Sequence, residues 1–143
     1  MDETIITLSK YRLEKSKKDL EVAKANFESN FYSQSLNRSY YSIFHAVRAL
    51  LAFDKFDSKK HTGIIAYFQL NYVKSNKFDS SFSKILINAE KVRVESDYND
   101  FYVASKDDTL KQIENAKLFI EEVEKYLKEH YSVVWLIQKL SYS

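Results

Sequence analysis

In 143 residues this sequence contains no proline and a single glycine, Gly63. Ordinary domains use about 5% proline and 7% glycine, and folds built from many strands spend both on their turns. A chain so poor in turn formers has few places to reverse. The predicted class is all-α, in one domain spanning residues 1–143, a length that can bury a sizeable core unaided.

The stretch Ser35 to Phe53, SLNRSYYSIFHAVRALLAF, carries the strongest helical pattern. At about 100° per residue it gathers Leu36, Tyr40, Ile43, Phe44, Val47, Leu50 and Leu51 on one broad arc, as in a helix buried in a core. The opposite arc carries Arg38, Tyr41, His45 and Arg48, spaced to form one stripe along the helix. Two guanidinium groups, a phenol and an imidazole make a set able to grip a phosphate. The plainer reading of His45 is a hydrogen-bonded core histidine.

Around this helix the pattern predicts a first helix from Thr4 to Glu28, with a narrow apolar stripe that places it on the outside of a bundle. Ser29 to Ser33 breaks the pattern, and so short a connection implies an antiparallel hairpin. A polar loop from Asp54 to Lys60 precedes a third helix reaching about Lys74, with Ser58 or Thr62 as its cap. Gly63 in its first turn serves either a tight turn or a close approach, or is a tolerated substitution. A fourth helical stretch, Ser80 to Glu95, delivers Arg93 near its end, and Ser96 to Tyr102 reads as an ordered loop. Ser105 followed by Asp108 resembles a capping box opening the last helix, whose stripe is Leu110, Ile113, Ala116, Ile120, Val123 and Leu127. The apolar tail, 131–143, either extends that helix or packs on a partner.

Charge and cysteine content narrow the function. Twenty-two Lys plus Arg against 20 Asp plus Glu leave a net charge of +2, so any nucleic-acid site must be local. The absence of cysteine removes disulfides and thiol chemistry and suits a reducing cytoplasm. The tail is far shorter than the ~20 apolar residues needed to cross a bilayer, and MDETIITLSK lacks the apolar run of a signal peptide. The expected location is cytoplasmic, without a membrane association. His45, His61 and His130 stand apart with no pair at ligand spacing, and one glycine cannot build a phosphate loop, so no metal and no cofactor are expected.

Three motifs in order carry a resemblance: Arg38-Ser-Tyr-Tyr-Ser-Ile-Phe-His-Ala-Val-Arg-Ala-Leu-Leu, then Lys60-His61-Thr62-Gly63, then Arg93-Val-Glu-Ser-Asp-Tyr-Asn-Asp. Together they resemble a HEPN domain of the small prokaryotic kind, over about residues 8 to 128. The resemblance implies an antiparallel up-and-down bundle of four to five helices, usually a homodimer. It further implies a metal-independent RNase acting as a toxin, often beside a small nucleotidyltransferase-like partner. The family's active motif is an Arg followed after four to six residues by His, in a cleft between subunits. Arg93 matches that Arg, but Tyr98, Asn99 and Asp100 occupy the positions where the His would stand.

Metal-free cleavage of RNA needs a base for the 2′-hydroxyl, an acid for the leaving oxygen and positive charge on the transition state. Arg93, Arg38 and Arg48 are the candidate charges, and His45 is the candidate base, with His61 second beside Lys60. Asp97 either fixes Arg93 in a structural pair or holds a stripe arginine across the cleft. Tyr98 and Tyr102 are candidate stacking groups for bases. In some family members a tyrosine two residues after the active His is nucleotidylated, and Tyr102 has that spacing only for the longest form of the motif. The competing function is a non-catalytic helical module that binds a nucleotidyltransferase-like or other protein.

Overall fold

The computed structural model describes residues 3–141, and of 133–139 and 141 the backbone course alone. It is all-α: α1 (Glu3–Glu28), α2 (Tyr32–Phe53), α3 (His61–Phe68), a π-helical turn (Gln69–Val73), α4 (Ser80–Tyr98) and α5 (Lys106–Ser141). With glycine scarce, the left-handed positions that reverse the chain fall to Asn30, Lys55 and Asn76, at φ of 65°, 55° and 63°. After α1, Asn30 N–H donates to Phe27 O and Phe31 N–H to Asn26 O, the paired bonds of a Schellman motif. Lys55 and Phe56 repeat the arrangement on Ala52 and Leu51 after α2.

Helix α2 is the centre of the molecule. Its apolar arc is buried, and so are the small residues Ser39, Ser42, Ala46 and Ala49 on its other sides. Helix α1 lies against it through Ser9, Leu13, Ser16, Leu20 and Ala23, all buried. Small side chains allow close approach, and serine hydroxyls use it: Ser9 Oγ donates to Ala49 O at 2.8 Å, Ser16 Oγ to Ser42 O at 2.5 Å and Ser35 Oγ to Ala23 O at 2.7 Å. Lys17 of α1 pairs with Glu124 of α5 on the outside.

Several boundaries differ from the sequence expectation. The hairpin break is only Ser29 to Phe31, because α2 starts at Tyr32. Ser96 to Tyr98 continue α4, so the loop before α5 begins at Asn99. Neither Ser58 nor Thr62 caps α3 through its side chain; Lys60 is the N-cap, and Ser58 Oγ instead accepts from Lys60 N–H at 3.2 Å. Gly63 is a close approach, to a side chain: a Cβ there would stand 2.5 Å from Ser58 Oγ. Ser105 does cap α5, its Oγ accepting from Asp108 N–H at 3.1 Å. On α5 the expected stripe is buried from Ile113 onward, but Leu110 is exposed and the buried neighbours are Thr109 and Gln112. Gln112 turns inward because its amide donates to Leu36 O and Ser39 Oγ on α2. The tail continues α5 as far as Ser141, while the packing of 133–139 lies outside the described side chains.

Candidate active site

Tyr40, Glu90, Arg93 and His61 form one polar cluster supplied by three helices. Tyr40 belongs to the buried arc of α2, and its phenol lies 2.8 Å from Nδ1 of His61, the first residue of α3. The His61 ring stacks on Phe44 at 4.2 Å, which fixes its plane. From α4, the Arg93 guanidinium sits over the Tyr40 ring at 5.0 Å, a cation–π placement. Glu90, one turn earlier, accepts from Arg93 Nε at 3.1 Å and Nη2 at 2.9 Å, and lies 4.0 Å from His61 Nδ1. Asp97, one turn later, takes the remaining Nη1 at 3.4 Å.

The electrostatics follow from that packing. Burial pushes the Tyr40 phenol well above its ordinary range, and the Glu90 carboxylate adds to the effect. Burial acts upward on Glu90 as well, but the hydrogen bonds from Arg93 and Tyr40 outweigh it and hold the carboxyl below its usual value. Arg93 is held further toward its charged form, foremost by its bonds to Glu90. His61 titrates below 6.5, because of burial and then the nearby Arg93, and is neutral at pH 7. A carboxylate only accepts, so with Glu90 facing the phenolic proton, His61 Nδ1–H is the donor to the phenol oxygen. That tautomer leaves the Nε2 lone pair as an available base.

The stripe on α2 is organised by α1. Arg38 lies over the Tyr41 ring at 4.9 Å and reaches Asp19 at 3.4 Å. His45 is buried against the same carboxylate, with Nε2 3.7 Å from Asp19 Oδ2. Burial, then Lys15, Arg48, Arg38 and Arg12, lower its pKa to about 4. Among the described residues its Nδ1 and Asp19 Oδ2 are buried without a hydrogen-bond partner. Arg48 is taken by Asp57 at 2.9 Å, and Arg12 of α1 touches the same carboxylate at 3.5 Å. Every arginine named in the sequence reading is therefore already paired with a carboxylate.

Arg38 and Asp97 do line one cleft, of about 460 Å³, together with Asn26, Gln34 and Asn37. Tyr41 links the two histidines, 6.0 Å from His45 and 5.9 Å from His61 between ring centres. Tyr98 is exposed at the end of α4, and Lys60 is exposed at the start of α3. Tyr102 lies elsewhere, half-buried between α4 and α5. Among the described residues no group of three or more His, Cys, Asp or Glu side chains is gathered as for a metal ion.

Sequence reading missed Tyr40, Glu90 and Asp19. Tyr40 was hidden by its place on the apolar arc. Glu90 is three residues before Arg93, a spacing at which helical ion pairs form. Asp19 falls three residues after Ser16 and four before Ala23, on the seam that α1 buries.

The model of the HEPN domain family matches residues 9–126. This chain is a member of the HEPN family. A protein named "Putative toxin MJ0142" from Methanocaldococcus jannaschii is 30% identical over 115 residues, covering 80% of this chain and 78% of that one. A second from that organism, "Putative toxin MJ0605", is 30% identical over 117 residues, 82% and 87% of the two chains. A UPF0332 protein from Archaeoglobus fulgidus is 33% identical over 111 residues, 78% and 88% of the two. In this HEPN domain no histidine follows Arg93 along α4, but His61 reaches the same cluster from α3 through Tyr40.

Proposed function

We propose that this HEPN domain is a toxin-type protein that takes RNA at the Arg93 cluster and cuts it without a metal ion. The observation that carries the reading is Tyr40, whose ring supports Arg93 and whose phenol orients His61. The cleft holding Arg38 and Asp97 gives the strand a path beside the cluster. His61 Nε2 takes the 2′-hydroxyl proton and the 2′-oxygen attacks phosphorus. The bond to the 5′-oxygen breaks, that oxygen takes a proton from solvent, and a 2′,3′-cyclic phosphate remains. Arg93 keeps its two bonds to Glu90 and turns Nη1 to the phosphate, displacing Asp97, its longest contact. His45 is assigned a structural part, because its ring is buried.

The test is a mixed RNA pool incubated with purified protein in EDTA. Cleavage that disappears in Arg93→Ala and in His61→Ala is expected; removing a general base typically costs about 10²- to 10⁴-fold. Since the neutral imidazole is the active form, the rate should fall as acid protonates His61, with a midpoint below 6.5. Intact RNA at high protein concentration would overturn the reading.

A second reading, a non-catalytic module for a protein partner, is favoured by a different observation. Tyr98, Phe101 and Val103 are 80%, 91% and 84% exposed around the α4–α5 loop. Apolar side chains so displayed mark interaction surfaces. Retention of a nucleotidyltransferase-like partner by the wild type but not by Phe101→Asp, with RNA left intact, would favour this alternative.

A further inference from the structure

His61 is the first residue of α3, and the loop from Asp54 to Lys60 carries the chain to it. The loop is fastened at two places. Near its start Phe56 stacks on Tyr67 at 4.0 Å, and Phe56 N–H donates to Leu51 O of α2. From Asp57 onward, side chains hold the backbone. Asp57 Oδ1 accepts from Ser58 N–H at 2.9 Å, and Ser58 Oγ accepts from Lys60 N–H at 3.2 Å. Lys60 is the N-cap of α3, and its carbonyl accepts from Gly63 and Ile64. The other carboxylate oxygen of Asp57 turns to the bundle, where Arg48 of α2 donates to it at 2.9 Å and Arg12 of α1 at 3.5 Å. Arg12 is itself held, its Nη1 donating to Arg48 O at 3.1 Å. One carboxylate therefore ties the approach to His61 onto α1 and α2.

We infer that Asp57, clamped by Arg48 and Arg12, is a positioning residue that sets the His61 imidazole against Tyr40 and Phe44, an assignment that rests on the proposed reading of His61 as the base. The plainer account is an ion pair that merely fastens a surface loop, and exposed pairs of that kind contribute little. Here the two arginine side chains are only 25% and 11% exposed, so the pair is shielded where a surface pair is not. Burial acts upward on Asp57, but the bonds from Arg48 and Ser58 N–H outweigh it and keep the carboxyl below its usual range. The clamp is thus charged wherever His61 is neutral. From Asp57 to His61 the chain has little slack, because Ser58 Oγ both holds Lys60 N–H and fills the space beside Gly63. A shift at Asp57 must therefore move the ring, and a misplacement of about 1 Å can cost about 10²-fold in rate. Arg48 acts on the reaction through Asp57, without touching the strand.

Nuclear magnetic resonance of the imidazoles, with RNA cleavage measured alongside, tests this on the full chain. In the wild type His61 should show the Nδ1–H tautomer and a titration midpoint below 6.5. The groups facing it are Tyr40, Tyr41 and Arg48 from α2 and Glu90 and Arg93 from α4. By charge alone, removing the Asp57 carboxylate would lower that midpoint further. Loss of position does the reverse, because the ring leaves its partly buried place. Asp57→Ala should therefore raise the His61 midpoint toward 6.5 and erase the tautomer preference, with His130, stacked on Tyr126 of α5, unchanged. Cleavage should fall about ten-fold or more in kcat, with KM not raised. Half of the Asp57 side chain is in water, so its truncation leaves the core closed. Arg48→Ala should lose the tautomer preference and kcat in the same way, and the double variant should be no worse than either single, since both cut one link. A lowered or unmoved His61 midpoint in Asp57→Ala would overturn the proposal. So would a raised KM in Arg48→Ala with the tautomer kept, which would place Arg48 on the RNA. If the wild type leaves RNA intact, the assignment of His61 as base falls, while the imidazole signals still decide whether Asp57 sets the ring.

Discussion

His45 shows what burial does to a single residue. Its pKa of about 4 in the folded chain compares with about 6.5 for an unperturbed histidine. Between those values the unfolded chain binds the extra proton and the folded chain does not, so stability must fall as pH drops from 6.5 toward 4. The difference corresponds to an order of 3–4 kcal/mol, at one pKa unit per about 1.4 kcal/mol. Urea unfolding at a series of pH values should show this loss in the wild type. In His45→Gln the slope should shrink, leaving what comes from His61, Glu90 and Glu124, whose pKa values are also lowered; an unchanged slope would mean that His45 does not titrate as described. The sequence placed His45 on a polar stripe but could not supply Asp19, because that contact depends on the register of α1 against α2. It likewise put Tyr40 in the core, which is correct for the ring and silent about the phenol.

Among elements, the start of α3 turns on a contact between a glycine and a serine. Ser58 Oγ accepts from Lys60 N–H, and the same atom occupies the space where a Cβ on residue 63 would lie. Gly63→Ala should therefore destabilise by about 1 kcal/mol, since displacing the hydroxyl loses roughly one hydrogen bond. Ser58→Ala alone should cost a similar amount. In the double variant the 2.5 Å contact with Oγ is gone, and the Cβ of residue 58, 3.1 Å away, is what remains to give way. The double variant should thus be more stable than the sum of the singles by about 1 kcal/mol, because the hydrogen bond is lost once and not twice, a coupling that denaturation of all four proteins measures. Additive costs would mean that Ser58 and Gly63 are not in contact. Helical periodicity made α2 legible because its apolar arc is broad. The loop from Asp54 to Lys60 was legible as a polar run, but its left-handed position was not, since Lys55 holds it and lysine gives no turn signal. The inward turn of Gln112 was equally hidden, being set by carbonyls of another helix.

At the scale of the whole molecule, the α4–α5 connection is the place where the bundle is least self-contained. Tyr98, Phe101 and Val103 expose nearly their whole side chains, although the protein has a well-filled core that buries Phe68, Tyr72, Phe78, Phe82 and Phe119. Leaving three large apolar groups in water is unfavourable by about 25 cal/mol for each Å² that a partner surface could cover. Tyr98 follows Asp97, the residue that Arg93 would release to meet a phosphate on the proposed reading. A second copy covering this face would therefore stabilise the dimer and set the position of the Arg93 cluster together. Sedimentation equilibrium at tens of micromolar should show a dimer for the wild type. Phe101→Asp should shift it toward monomer, because each apolar contact would be replaced by a charge that must be desolvated. Its thermal melt at low concentration should remain that of the wild type, since Phe101 has no part in the core. A wild-type monomer at that concentration would remove the dimer and leave each Arg93 cluster to act alone, with His61 of the same chain.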